Sequence, residues 1–206
     1  MGAGCCHDGC ATAPRDTGPF RRALWVALVV NASMFVVEIG AGLASGSSSL
    51  QADALDFLGD AANYVVSLFV LGMSLRHRAA ASMLKGATMG LFGLWVAYAT
   101  LGHALAGTVP EAPVMGGVGL AALVANVGVA LLLYAFREGD SNMRSVWICS
   151  RNDALGNIAV LAAAGGVFTA QSGWPDFAVA AIMAALALWG ATQVLVHAWA
   201  DWKAPA

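Results

Sequence analysis

Six long apolar stretches alternate with short polar breaks along the chain: Leu24–Ala44, Leu50–Leu75, Met89–Leu105, Val114–Leu133, Ser145–Ala170 and Ala178–Trp199. A helix needs roughly 20 mostly apolar residues to span a bilayer, and each stretch is near that length. Runs of Ala, Leu, Val and Gly show no alternation of period two, and a spanning helix satisfies its own backbone hydrogen bonds. The breaks carry turn formers and charges: Ser45-Gly-Ser-Ser-Ser49, Arg76-His-Arg, Thr108-Val-Pro-Glu-Ala-Pro113, Arg137-Glu-Gly-Asp-Ser-Asn and Gln171-Ser-Gly-Trp-Pro175. The pattern predicts an all-α membrane protein of six transmembrane helices, with loops short enough to make neighbours antiparallel.

Composition agrees. Of 206 residues, 59% are apolar and 11% charged, against about a quarter charged in a soluble domain. A chain this short has too much surface to hide that apolar content from water. Arg15, Arg21 and Arg22 precede the first stretch; Arg76, Arg78 and Lys85 lie between the second and third; Arg137 and Arg144 between the fourth and fifth; Lys203 after the sixth. The alternate breaks carry no Lys or Arg. The positive-inside rule then puts both termini in the cytoplasm. The expected organisation is a cytoplasmic Cys/His-containing tail over 1–20, a six-helix domain over 21–203 and no C-terminal soluble domain. The tail is polar, so no cleavable signal peptide is expected, and the protein is expected to be multi-pass in a bacterial inner membrane. The net charge of −2 and the lack of a basic tract give no reason to expect a nucleic-acid partner.

Charge inside the apolar stretches is the functional signal, because an ionisable group in lipid is costly unless paired, hydrated or neutralised. The second stretch holds Asp53, Asp56 and Asp60. At 100° per residue the three point within about 60° of one another. The fifth holds Asp153, with Cys149 one turn earlier on the same face. A single Asp near a helix end can simply cap it or face water, and Asp53 is near enough to its end to be an entrance residue or a support for the ligands. Three acids on one stripe and a fourth on another helix are not needed for scaffolding. Such acids cannot all stay ionised together in a low dielectric. A divalent cation relieves the repulsion and displaces protons, which predicts exchange of metal against protons. Carboxylates alone suit Mg2+ or Mn2+ as well as Zn2+. The thiolate of Cys149 tilts the choice to Zn2+, with Cd2+ next; the bland alternative is a buried, unreactive Cys.

Ser47-Ser-Ser-Leu-Gln-Ala-Asp-Ala-Leu-Asp56-Phe-Leu-Gly-Asp60 closely resembles the second-helix signature of the cation diffusion facilitator family of metal exporters. Cys149-Ser-Arg-Asn-Asp153-Ala-Leu-Gly-Asn157 is similar to the family's fifth-helix motif, in which His or Asp precedes Asp by four. The first stretch, with Asn31 and Glu38 before Gly40-Ala-Gly-Leu-Ala-Ser-Gly46, also fits. The resemblance covers essentially all six stretches. It implies a tetrahedral metal site of Asp56, Asp60, Cys149 and Asp153, proton-coupled efflux and a homodimer. Two features depart from the pattern. Cys149 replaces the usual His or Asp, so cargo preference does not carry over. Most members also have a cytoplasmic domain after the sixth helix, and dimerisation through it has no support here.

Cys5, Cys6, His7 and Cys10 pack three thiols and an imidazole into the tail. Such tracts bind soft metals, and this one is a candidate for metal capture, against the alternative of a disordered tail with incidental thiols. Asn63 and Asn157 are expected to support the ligands or line a water path, since Asp60-Ala-Ala-Asn63 faintly echoes Asp153-Ala-Leu-Gly-Asn157. Asn31 and Glu38, seven residues apart on one face, read as structural. His103 and His197 read as interfacial tips, Arg151 as a snorkelling anchor, and Trp25, Trp174, Trp199 and Trp202 as interfacial belts.

Two other functions remain open. A proton- or sodium-coupled carrier of a small organic cation needs an aromatic cage, for which only Phe57 and Tyr64 are near the acids. A non-transporting metal sensor or partner subunit would depend on the tail. No nucleophile is paired with a base and no phosphate-binding Gly loop is present, so neither an enzyme nor a bound cofactor is expected, the metal being cargo.

Overall fold

The computed structural model describes residues 18–70, 74–136 and 141–203. Six α-helices run through them: α1 (Gly18–Ser45), α2 (Ser48–Val65), α3 (Leu75–Ala106), α4 (Ala112–Tyr134), α5 (Ser141–Ala170) and α6 (Trp174–Lys203). A π-helical turn, Val66–Val70, continues α2. Among the described residues there is no strand.

Two helices run well past their apolar stretches. α1 starts at Gly18, six residues ahead of Leu24, and reaches into the segment expected to be tail. α3 starts at Leu75, so Arg76-His-Arg and Lys85, expected in a loop, are helical. Polar residues extend a helix without breaking it when no Pro or Gly pair intervenes, and Arg76 and His77 simply stand exposed on its first turns.

α1, α3, α4, α5 and α6 are long and apolar enough to cross a membrane; α2 is not among them. With Asp53, Asp56 and Asp60 in 18 residues it is too polar to face lipid. The fold puts it inside, packed against α1, α3, α5 and α6. Leu50, Ala52, Ala54, Leu55, Phe57 and Tyr64 are buried on several sides of the helix. Around this centre the other helices turn large apolar side chains outward, among them Val36, Leu91, Leu131, Ile182 and Val196. Trp25, Trp174, Trp199 and Trp202 are exposed as well, and Lys203 Nζ lies 4.9 Å above the Trp199 ring.

Three apolar clusters hold α2 in place. Tyr64 packs with Phe20, Leu24, Val129 and Leu133. Leu50 packs with Met115, Val160 and Val167. Ala52 and Leu55 meet Val96, Ala180 and Ala184. The turn from α1 into α2 depends on Gly46, whose φ of +69° lies in the left-handed region that favours glycine.

Candidate metal centre

The Ser45–Ser49 segment is buried and tied down. Ser47 is the N-cap of α2 and accepts from Leu50 N. Asp176, wholly buried in the first turn of α6, receives Ser47 Oγ at 2.7 Å, Ser48 N at 2.7 Å, and Ser49 N and Oγ at 3.0 and 2.6 Å. A carboxylate at a helix N-terminus satisfies its free N–H groups and complements its dipole. Ser48 Oγ also lies 3.0 Å from His103 Nδ1, so His103 braces α3 against α2. These bonds fix the rotation of α2, and with it the direction of its acids. Asp176 escaped the sequence reading because it falls in the polar break before the sixth apolar stretch. An Asp just after Pro175 at a helix start was the available signal.

The structure brings Asp60 and Asp153 together. Both are buried, and their carboxylates lie within hydrogen-bonding reach across the α2–α5 boundary. Tyr64 donates its hydroxyl to Asp60 Oδ2 at 3.0 Å and lies 3.0 Å from Ser150 Oγ; with its one proton on Asp60, Tyr64 accepts from Ser150. Lys85 reaches in from α3, hydrogen-bonds Asn63 Oδ1 and acts electrostatically on Asp60. Expected as a loop charge, it is only 9% exposed. Asn63 thus holds a cation beside the acids. Tyr64, Ser150 and Lys85 were not legible as site residues, since nothing in their spacing marks them.

Asp53 does not face water. It is wholly buried, and Asn157 Nδ2 donates to its Oδ2 at 2.6 Å. Asn126 Nδ2 donates in turn to Asn157 Oδ1 at 2.9 Å. Asn157 thus links Asn126 to Asp53, in a chain from α4 to α5 to α2. Asp56, half-buried, lies between the two groups in the sequence. A Cβ added at Gly156 would sit 3.8 Å from Asp56 Oδ2 and equally far from Asp53 Oδ1, so both acids face the bare surface of α5 one turn beyond Asp153. Glu38, read as structural, is wholly buried near Asp53 and Asp56. Asn31 donates to Ala27 O at 2.9 Å.

Cys149 is in helical backbone, but its side chain, like all of Cys5, Cys6, His7 and Cys10, lies outside the described residues. Among the described residues no three His, Cys, Asp or Glu side chains form a group able to hold a metal. The pair Asp60–Asp153 is the part of the expected ligand set whose meeting is described. Arg151 is exposed and turns to Asn152 Oδ1 at 3.2 Å, while His197 is exposed and bonds within its helix to Gln193 O at 2.7 Å.

Apolar outer surfaces around a central helix of paired carboxylates define a multi-pass integral membrane protein. Residues 24–200 match the cation efflux transmembrane domain, and the chain belongs to the cation efflux family. Its activity, at that level, is the efflux of metal cations across a membrane. Among curated proteins none matches the chain.

Proposed function

We propose that the protein exports a divalent transition metal, Zn2+ first and Cd2+ next, from the cytoplasm in exchange for protons. The observation that carries this reading is the meeting of Asp60 and Asp153, from different helices, inside the bundle. Two carboxylates in contact away from water need a proton or a cation between them. Occupancy by one excludes the other, which is the basis of exchange. Asp56 and Cys149, one turn before Asp60 and Asp153 respectively, complete a tetrahedral set, and the thiolate supplies the preference for a softer ion.

All six helices cross the membrane in this reading, both termini are cytoplasmic, and the membrane is a bacterial inner membrane. α2 crosses within the ring of its neighbours. The protein works as a transporter and not as an enzyme, it pairs as a homodimer, and Cys5, Cys6, His7 and Cys10 collect metal for the bundle. A carrier of organic cations fits less well. Tyr64 gives Asp60 its hydroxyl and so turns the ring edge, not the ring face that would hold an ammonium, toward the acid.

Proteoliposomes loaded with a pH indicator test the proposal. The wild type takes up Zn2+ with proton counterflow, and Asp60→Ala or Asp153→Ala abolishes both. Zinc uptake that persists in both variants, or proceeds without proton movement, refutes it. Cys149→Ala tests the ligand set separately, because unchanged Zn2+ and Cd2+ transport removes Cys149 from it.

A further inference from the structure

A second pair of carboxylates lies in the same bundle and takes no part in the Asp60–Asp153 arrangement. Glu38 of α1 and Asp53 of α2 are both wholly buried, and each lies within hydrogen-bonding reach of the other. Of their four oxygens one has a donor, Asp53 Oδ2, which receives Asn157 Nδ2. Glu38 Oε1, Glu38 Oε2 and Asp53 Oδ1 have none. Buried polar atoms in folded proteins are almost always partnered, and two ionised carboxylates cannot partner each other, since both only accept and need a proton or a cation between them. Asn126 holds the Asn157 oxygen and so fixes which end of that amide meets Asp53. Gly156 keeps side-chain bulk away from Asp53 Oδ1.

We propose that Glu38 and Asp53 form a second cation-binding site, an all-oxygen site between α1 and α2 that takes a divalent cation independently of Asp60 and Asp153. Two carboxylates balance the charge of one such ion, and the three oxygens without donors are its ligands. Hard oxygen donors with no sulfur suit the Mn2+ and Mg2+ class, which binds through one or two carboxylates. Asp53 and Asp60 are seven residues apart on α2, roughly 10 Å along the axis, too far for the two pairs to share one ion. The proposal deepens the export reading, since it gives the bundle two stations along α2, with Asp56 between them.

Mn2+ binding to the purified full-length chain, followed by electron paramagnetic resonance, tests it. Cys5, Cys6 and Cys10 are replaced by Ser and His7 by Ala throughout, so that the tail does not contribute. In the Asp60→Asn/Asp153→Asn background one Mn2+ per chain is expected to remain, and adding Glu38→Gln and Asp53→Asn weakens it at least tenfold. Loss of all Mn2+ binding in the Asp60→Asn/Asp153→Asn protein overturns the proposal and leaves Glu38 and Asp53 sharing a proton. Residual binding that ignores Glu38→Gln and Asp53→Asn overturns it too. Thermal melts guard against misfolding: the rise in Tm that Mn2+ gives the Asp60→Asn/Asp153→Asn protein disappears on Glu38→Gln alone, and a rise that survives counts against the site. Failure of the export reading is distinct, because it appears as Zn2+ uptake insensitive to Asp60→Ala whatever Mn2+ does.

Discussion

Ser49 gives both its backbone N–H and its hydroxyl to one oxygen of Asp176, at 3.0 and 2.6 Å. With Ser47 and Ser48 on the same carboxylate, this joins the start of the acid-bearing helix to the first turn of α6. These bonds hold an otherwise unfavourable polar helix in register with its neighbours.

Asp176→Ala removes the acceptor for four donors at once. Loss of a charged acceptor that leaves buried donors unpaired costs roughly 3 kcal/mol or more. A thermal melt in detergent is expected to show a clearly lower Tm, with Asp176→Asn between the variant and the wild type. An unchanged Tm in Asp176→Ala contradicts this role.

Tyr64→Phe keeps the ring in its apolar cluster but deletes the hydroxyl that orients Asp60. Losing the hydrogen bond that orients a metal ligand typically weakens metal binding about 10- to 100-fold. Isothermal titration with Zn2+ is expected to show a loss in that range at nearly unchanged Tm. Wild-type affinity in Tyr64→Phe places the hydroxyl outside the metal's influence.

Lys85→Gln takes a positive charge away from the neighbourhood of Asp60 while keeping a group able to donate to Asn63. A resident cation opposes an incoming one. Removing it is expected to tighten Zn2+ binding by up to about tenfold, the equivalent of roughly 1.4 kcal/mol. Slower release should then lower turnover in proteoliposomes. Weaker binding in Lys85→Gln points instead to a role for Lys85 in holding the site together.

Gly42→Ala tests the close approach of α1 to α2. An added Cβ would stand 2.8 Å from Gln51 Cγ and 3.0 Å from Gln51 N. Backbone cannot yield as a side chain does, so overpacking is expected to cost about 1–3 kcal/mol. The variant should melt earlier, whereas Gly40→Ala, with open space around it, should not. Equal melting of the two contradicts the packing account.

That the chain is helical and lipid-embedded was legible in its residues alone, because apolar runs of spanning length have few other stable forms. The same run pattern set helix positions within a few residues, except where α1 and α3 continue through Gly18–Ala23 and Leu75–Thr88, and at the second stretch, expected to run to Leu75, a residue that instead opens α3. Hydropathy marks where lipid begins, not where helical hydrogen bonding stops. The stripe of Asp53, Asp56 and Asp60 was equally legible, since periodicity fixes which residues share a face. Periodicity does not say what that face meets. That Asp60 goes to Asp153 on α5 while Asp53 goes to Glu38 on α1 and to Asn157, and that Lys85 turns inward beside Asn63, emerges from helix packing alone. Those pairings join residues 15 to 104 positions apart, and they follow from how neighbouring helices rotate and pack around α2, which no local pattern encodes.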